Sequence, residues 1–195
     1  GKHVFKQRTV EELLDTAVMI LVDGSGSMCG DKYAHAAKAA TLLNSTLEEL
    51  QIECAIHSFT DGYRCKQFEH KNFDTTINTE DLIDTFASAS EEMGSNADGD
   101  NILYSAGLLL ERREQKKILV VLSDGQPAAS SGSGDIYGWT KRVIREIEED
   151  GEIEIYGIGL LDSTVEELYS NNAVIEDAAS LEECLIKLLQ EHVLV

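Results

Sequence analysis

Asp23, Ser25 and Ser27 alternate with glycines in LVDGSGSMCG (residues 21–30), where an apolar run ends in a charge. Alternate residues of an extended segment point the same way, so a carboxylate and two hydroxyls are set to share one face. That is a donor set for a hard cation. Magnesium favours near-octahedral oxygen coordination at about 2.1 Å, takes one or two carboxylates and keeps several waters. A second carboxylate, Asp124, ends the apolar run KKILVVLSD (116–124). A polar loop that leads into a helical pattern, GSNADGDNIL (94–103), offers Asn96 and Asp98. The expectation is one cation held by Asp23, Ser25, Ser27, Asp124 and a third-loop ligand, either Asn96 or Asp98. Mg is the expected ion, with Mn or Ca as alternatives.

These loops meet only if the elements before them are neighbours. TAVMILVD (16–23) and KKILVVLSD (116–124) read as central parallel strands covered on both faces, and EIEIYGIGL (152–160) as a third. In QIECAIHSFTDGYRCKQFEH (51–70) two strand-like runs flank Asp61-Gly62, a hairpin turn signal. Its second arm carries Arg64, Lys66 and Gln67, as an edge strand should. Helical spacing runs from Asp31, read as an N-cap, to Leu50, and recurs at 101–113, 135–150 and 180–192, with a short helix at 79–87. NNAVIED (171–177) reads as a last edge strand and PAASSGSGD (127–135) as a loop. The predicted fold is α/β and doubly wound: a mostly parallel sheet with one antiparallel edge strand and helices on both faces. Ligand sites of such sheets lie beyond the carboxyl ends of the strands, where the winding reverses.

The whole chain narrows the function. Its 195 residues suit one α/β domain, and its net charge of −20 repels nucleic acid and anionic membranes while concentrating divalent cations. The four cysteines, Cys29, Cys54, Cys65 and Cys184, form no CxxC pair, which disfavours structural zinc and fits a reducing compartment. No apolar run approaches the roughly 20 residues of a spanning helix, and no secretory leader is read, so a cytoplasmic location is expected. The first residues are Gly-Lys rather than Met, so the chain is expected to be a piece of a longer one.

Rival motifs fail on particular residues. A dinucleotide fingerprint has Cys29 where its third glycine belongs. An EF-hand loop starting at Asn96 has Asn101 at its turn glycine and Gly107 at its closing glutamate. A hydrolase elbow around Ser25 has Asp23 for its first glycine. His3, His35, His57, His70 and His192 show no ligand spacing and read as surface or core filler. Cys29 reads as structural, and Tyr137 and Trp139 as core or as part of a partner-facing rim.

DGSGS after a strand, a polar loop before a helix and SDG after a later strand together resemble the metal-ion-dependent adhesion site of von Willebrand factor A domains. More narrowly, DTAVMILVDGSGSM, NADGDNIL and KKILVVLSDGQP are similar to the carboxy-terminal A domain of the T subunit of aerobic, ATP-dependent cobaltochelatase. The likeness covers nearly the whole chain. It implies Asp23, Ser25, Ser27 and Asp124 as ligands, and Asn96 where most A domains carry threonine. It implies a metal-dependent interaction module that captures an acidic residue of a MoxR-like AAA+ ATPase, in a complex whose large corrin-binding subunit receives cobalt. The module itself would not be an enzyme. A non-cobalamin client for the same ATPase partnership, and a metal-dependent hydrolase, are the alternatives.

Overall fold

Alternate residues of the central strands serve opposite faces of one sheet. In Thr16–Asp23 (β1), Ala17, Met19 and Leu21 pack on one side and Val18, Ile20 and Val22 on the other. Lys116–Ser123 (β4) divides likewise, with Leu119 and Val121 opposite Ile118, Val120 and Leu122. Two-sided burial is why both runs are apolar without a break. The computed structural model describes residues 15–60, 66–128 and 134–192. The Asp61-Gly62 turn, Arg64, Cys65, His3 and the centre of the 127–135 loop lie outside them.

The remaining strands are Glu53–Thr60 (β2), Lys66–Lys71 (β3), Ile153–Leu160 (β5) and Asn172–Ile175 (β6). The sheet has six strands in the order β3-β2-β1-β4-β5-β6, with β3 antiparallel to β2 and every other pair parallel. Asp31–Glu49 (α1), Thr79–Ala89 (α2) and Leu181–His192 (α6) cover one face; Asp98–Leu110 (α3) and Ile136–Asp150 (α4) cover the other, beside the short Thr164–Leu168 (α5). The winding reverses between β1 and β4, whose carboxyl ends lie side by side.

The expected α/β doubly wound sheet and its antiparallel edge are present. Several details differ. Gly30, with φ 93°, is the N-cap of α1, and Asp31 lies in its first turn, where a carboxylate suits the helix dipole. Helix α3 starts at Asp98 rather than Asn101, so the third loop is shorter than read. Gln67 does not point away from the edge: its side chain bonds His57 Nδ1 at 2.8 Å and donates to Asn101 O and Ser105 Oγ of α3. Cys29 is exposed, which removes its structural reading.

Candidate metal centre

The carboxylate at the end of β1 is fully buried. Asp23 Oδ1 accepts from Ser25 N at 2.8 Å, which bends the chain back over the strand end. Gly24 makes that bend against β2: its N–H donates to Phe59 O at 2.7 Å, and a Cβ there would sit 3.0 Å from the same oxygen. From Gly26 the chain winds into a single 3-10 turn, Gly26–Met28. That turn, rather than continued extension, brings the Ser25 and Ser27 hydroxyls to 3.1 Å.

Asp124 follows β4 directly. Its Oδ1 accepts from Ser27 Oγ at 2.8 Å and its Oδ2 from Lys32 Nζ at 3.0 Å. The strand register pairs Val22 with Leu122, so Asp23 and Ser123 come next to each other. Ser123 Oγ donates to Asp23 Oδ2 at 3.2 Å and lies 3.5 Å from Asp98 Oδ2. The third loop is thereby tied in: Asn96 Nδ2 donates to Asp98 Oδ1 at 2.7 Å and to Gln126 O at 3.0 Å. Asn96 thus turns its amide nitrogen to Asp98, and Asp98 turns toward Asp23.

All six residues named from the sequence, Asp23, Ser25, Ser27, Asn96, Asp98 and Asp124, stand in this one crevice. Two participants were not singled out, Ser123 and Lys32. Ser123 is legible as the residue before Asp124 at a strand end; Lys32 carried no signal, since a lysine in a first helical turn is ordinary.

The electrostatics are those of acids crowded together. Burial, reinforced by the charge of Asp124, pushes Asp23 up from 3.8 to about 6 against hydrogen bonds from Ser25 and Ser123. Burial and then the charge of Asp23 hold Asp98 well above the usual carboxylate range. Among the described residues no group of three or more His, Cys, Asp or Glu side chains is arrayed to hold a metal as it stands, so Asp23, Asp98 and Asp124 would have to draw together, with the serine hydroxyls beside them, to take a cation. His57 and His70 lie elsewhere, bonded to Gln67 and to Ser58 and Thr85. Trp139 and Tyr137 are half-buried against the α3–α4 face; their side chains donate to Asp100 and Glu167.

Close packing explains the glycine of Asp-Gly at the start of α3. A Cβ there would meet Trp139 Cδ1 at 2.8 Å and Thr140 Oγ1 at 3.0 Å. Gly99→Ala is therefore expected to destabilise the fold by about 1–3 kcal/mol through overpacking, measured by urea denaturation. An unchanged midpoint would mean that α4 yields freely.

A doubly wound sheet with this crevice at its switch point defines a von Willebrand factor A-type domain. Solved structures share the fold. A von Willebrand factor type A protein from Catenulispora acidiphila superposes with a TM-score of 0.66 at 17% identity, over 91% of this chain and 42% of that one. The pilus adhesin SpaC from Lactobacillus rhamnosus GG gives 0.71 at 11% identity, over 91% of this chain and 30% of that one. Proximal thread matrix protein 1 from the mussel byssus, with a zinc-occupied MIDAS motif, gives 0.62 at 12% identity, over 91% and 47%. The family described as "Cobalamin biosynthesis protein CobT VWA domain" matches residues 4–79 and 85–194, and the chain belongs to it. The Bacillus subtilis (strain 168) protein YojO, described as uncharacterized, is 25% identical over 169 residues, 84% of this chain but 26% of its own length. The chain thus spans about a quarter of that relative.

Proposed function

We propose that the chain is a metal-ion-dependent protein-interaction module of a cobaltochelatase-like complex, one domain of a longer cytoplasmic protein. The observation that carries this reading is the pair of buried carboxylates, Asp23 and Asp98, which share one serine hydroxyl. Uncompensated burial of two acids is unfavourable, and a divalent cation is what such an all-oxygen set suits. The zinc-occupied site of the mussel protein supports a divalent ion, and Mg is the ion proposed for this chain.

Asp23, Ser25, Ser27, Asp98 and Asp124 would hold the metal, with Asn96 positioning Asp98. This assigns the third-loop carboxylate the place left open between Asn96 and Asp98. A metal so held supplies Lewis acidity and an open coordination position for a partner's carboxylate. Membership of the CobT family supports a cobaltochelatase setting; the partner proposed there is a MoxR-like AAA+ ATPase, with a large corrin-binding subunit as the recipient of its work. The chain carries no phosphate-binding GxxxxGK[ST] loop, so nucleotide hydrolysis falls to the ATPase.

Capture of a MoxR-like ATPase by the immobilised chain tests the reading. Retention in Mg²⁺, release by chelator and loss in Asp124→Ala are expected. Capture indifferent to chelator would overturn metal dependence, and turnover of phosphate esters or peptides by the chain alone, abolished in the same variant, would favour the hydrolase.

A further inference from the structure

Lys32 reaches the metal centre from the first turn of α1. Its ammonium takes Asp124 Oδ2 at 3.0 Å while the Ser27 hydroxyl takes Oδ1 at 2.8 Å, so both carboxylate oxygens are engaged. The partners differ in freedom. The Asp124 side chain is 2% exposed and the Lys32 side chain 29% exposed, so the lysine can withdraw toward water on its flexible stem without repacking the core. Among the described residues Asp23 and Asp98 have no such partner in their hydrogen-bond sets, which consist of hydroxyls, amides and main-chain N–H groups.

We infer that Lys32 is a built-in competitor for the metal site, a specificity-determining residue that holds Asp124 until a divalent cation displaces it. The inference rests on the metal reading above and extends it to the partner's chemistry. An ammonium and a divalent cation on one carboxylate repel, so loading the site drives Lys32 off Asp124. The freed ammonium remains beside the open side of the crevice, where it favours an incoming carboxylate. Metal and acidic ligand then bind with positive, reciprocal coupling. Without metal, Lys32 keeps Asp124 neutralised and offers such a ligand little.

The test is calorimetric titration of Mn²⁺ into the wild-type chain and into K32M, K32R and K38M. Lys38 lies exposed on the same helix, so its replacement removes equal charge without the pair. K32M is expected to bind Mn²⁺ roughly fivefold more tightly than wild type, the upper range for a partly exposed pair. K32R, which keeps the charge and the reach, should not tighten binding. Equal tightening in K38M would reduce the effect to bulk charge and overturn the inference, as would unchanged or weaker binding by K32M. Those outcomes leave the metal site standing; no binding by wild type or K32M removes the metal reading and this inference with it. A second readout is NMR of lysine ammonium groups. One signal protected in chelator should be lost on adding Mg²⁺ and be absent from K32M, and its persistence in Mg²⁺ would also overturn the inference.

Discussion

Asp23→Asn is expected to weaken Mg²⁺ binding at least about 100-fold while making the metal-free protein more stable. The two effects share one cause. Asp23 is raised from 3.8 to about 6 chiefly by burial, so its protonated form is favoured in the native state. A raised carboxyl contributes stability that is fully present below about pH 3.8 and lost as pH rises through about 6. At pH 7.5 the ionised group therefore destabilises the metal-free fold by up to about 3 kcal/mol. Asparagine removes the charge and keeps the shape. Its Oδ1 still accepts from Ser25 N, and the Ser123 hydroxyl that donates to Asp23 Oδ2 can turn to accept from the new amide. A net gain of about 1–2 kcal/mol, or some 2–8 °C in Tm, is expected in chelator at pH 7.5. Calorimetric Mg²⁺ titration and thermal denaturation read the two halves separately. Wild-type affinity in the variant would remove Asp23 from the site, and a lower melting point in chelator would mean that its burial is already compensated.

The fold was legible because its strongest constraints act on sequence pattern. Residues 17–22 and 118–122 lie between two helical layers, so every position in them is apolar until the strand emerges at its carboxyl end. Once β1 and β4 are neighbours, the ends of both runs must meet, and Asp23 and Asp124 with them. Contacts across elements were less legible. Lys32 faces Asp124 because the turn after β1 brings the first residues of α1 to the carboxyl end of β4, which no local pattern records. Gln67 looked like the polar residue of an open edge, yet it reaches the main chain of α3. Between Asn96 and Asp98 the sequence had no way to choose, since both are oxygen-bearing and two positions apart. The proposed choice of Asp98 draws on contacts between loops that the sequence does not record: the Asn96 amide nitrogen donates to Gln126 O, and Asp98 Oδ2 lies near Ser123.

In saturating Mg²⁺ the protein should lose stability as pH falls from 6.5 toward 4, whereas in chelator the same range should be nearly flat. His70 supplies the slope. Its ring stacks on Phe86 at 3.9 Å and bonds Ser58 and Thr85, and burial, with the charge of His57 adding, lowers its pKa from 6.5 to about 4. A histidine lowered on folding contributes stability that is present above about pH 6.5 and lost as pH falls through about 4, here up to about 3 kcal/mol. His57 is lowered by burial too and adds in the same sense. Without metal, Asp23 opposes this over nearly the same range, from 3.8 to about 6, and Asp98 is shifted in its direction. The opposed slopes offset each other. A bound divalent ion keeps both carboxylates charged, removes their contribution and leaves that of the histidines. The gain in Tm on adding Mg²⁺ should accordingly be small below about pH 5 and grow through pH 6, because protons and metal compete for the same carboxylates. Denaturation at several pH values between 4.5 and 7.5, with Mg²⁺ and with chelator, measures both curves. His70→Gln should flatten the Mg²⁺ curve and leave the metal-induced gain at pH 7.5 in place, because the hairpin that carries His70 bears none of the proposed ligands. Parallel curves in Mg²⁺ and chelator would instead mean that the two buried acids do not change charge when the metal binds, and the crevice would lose its account as a cation site.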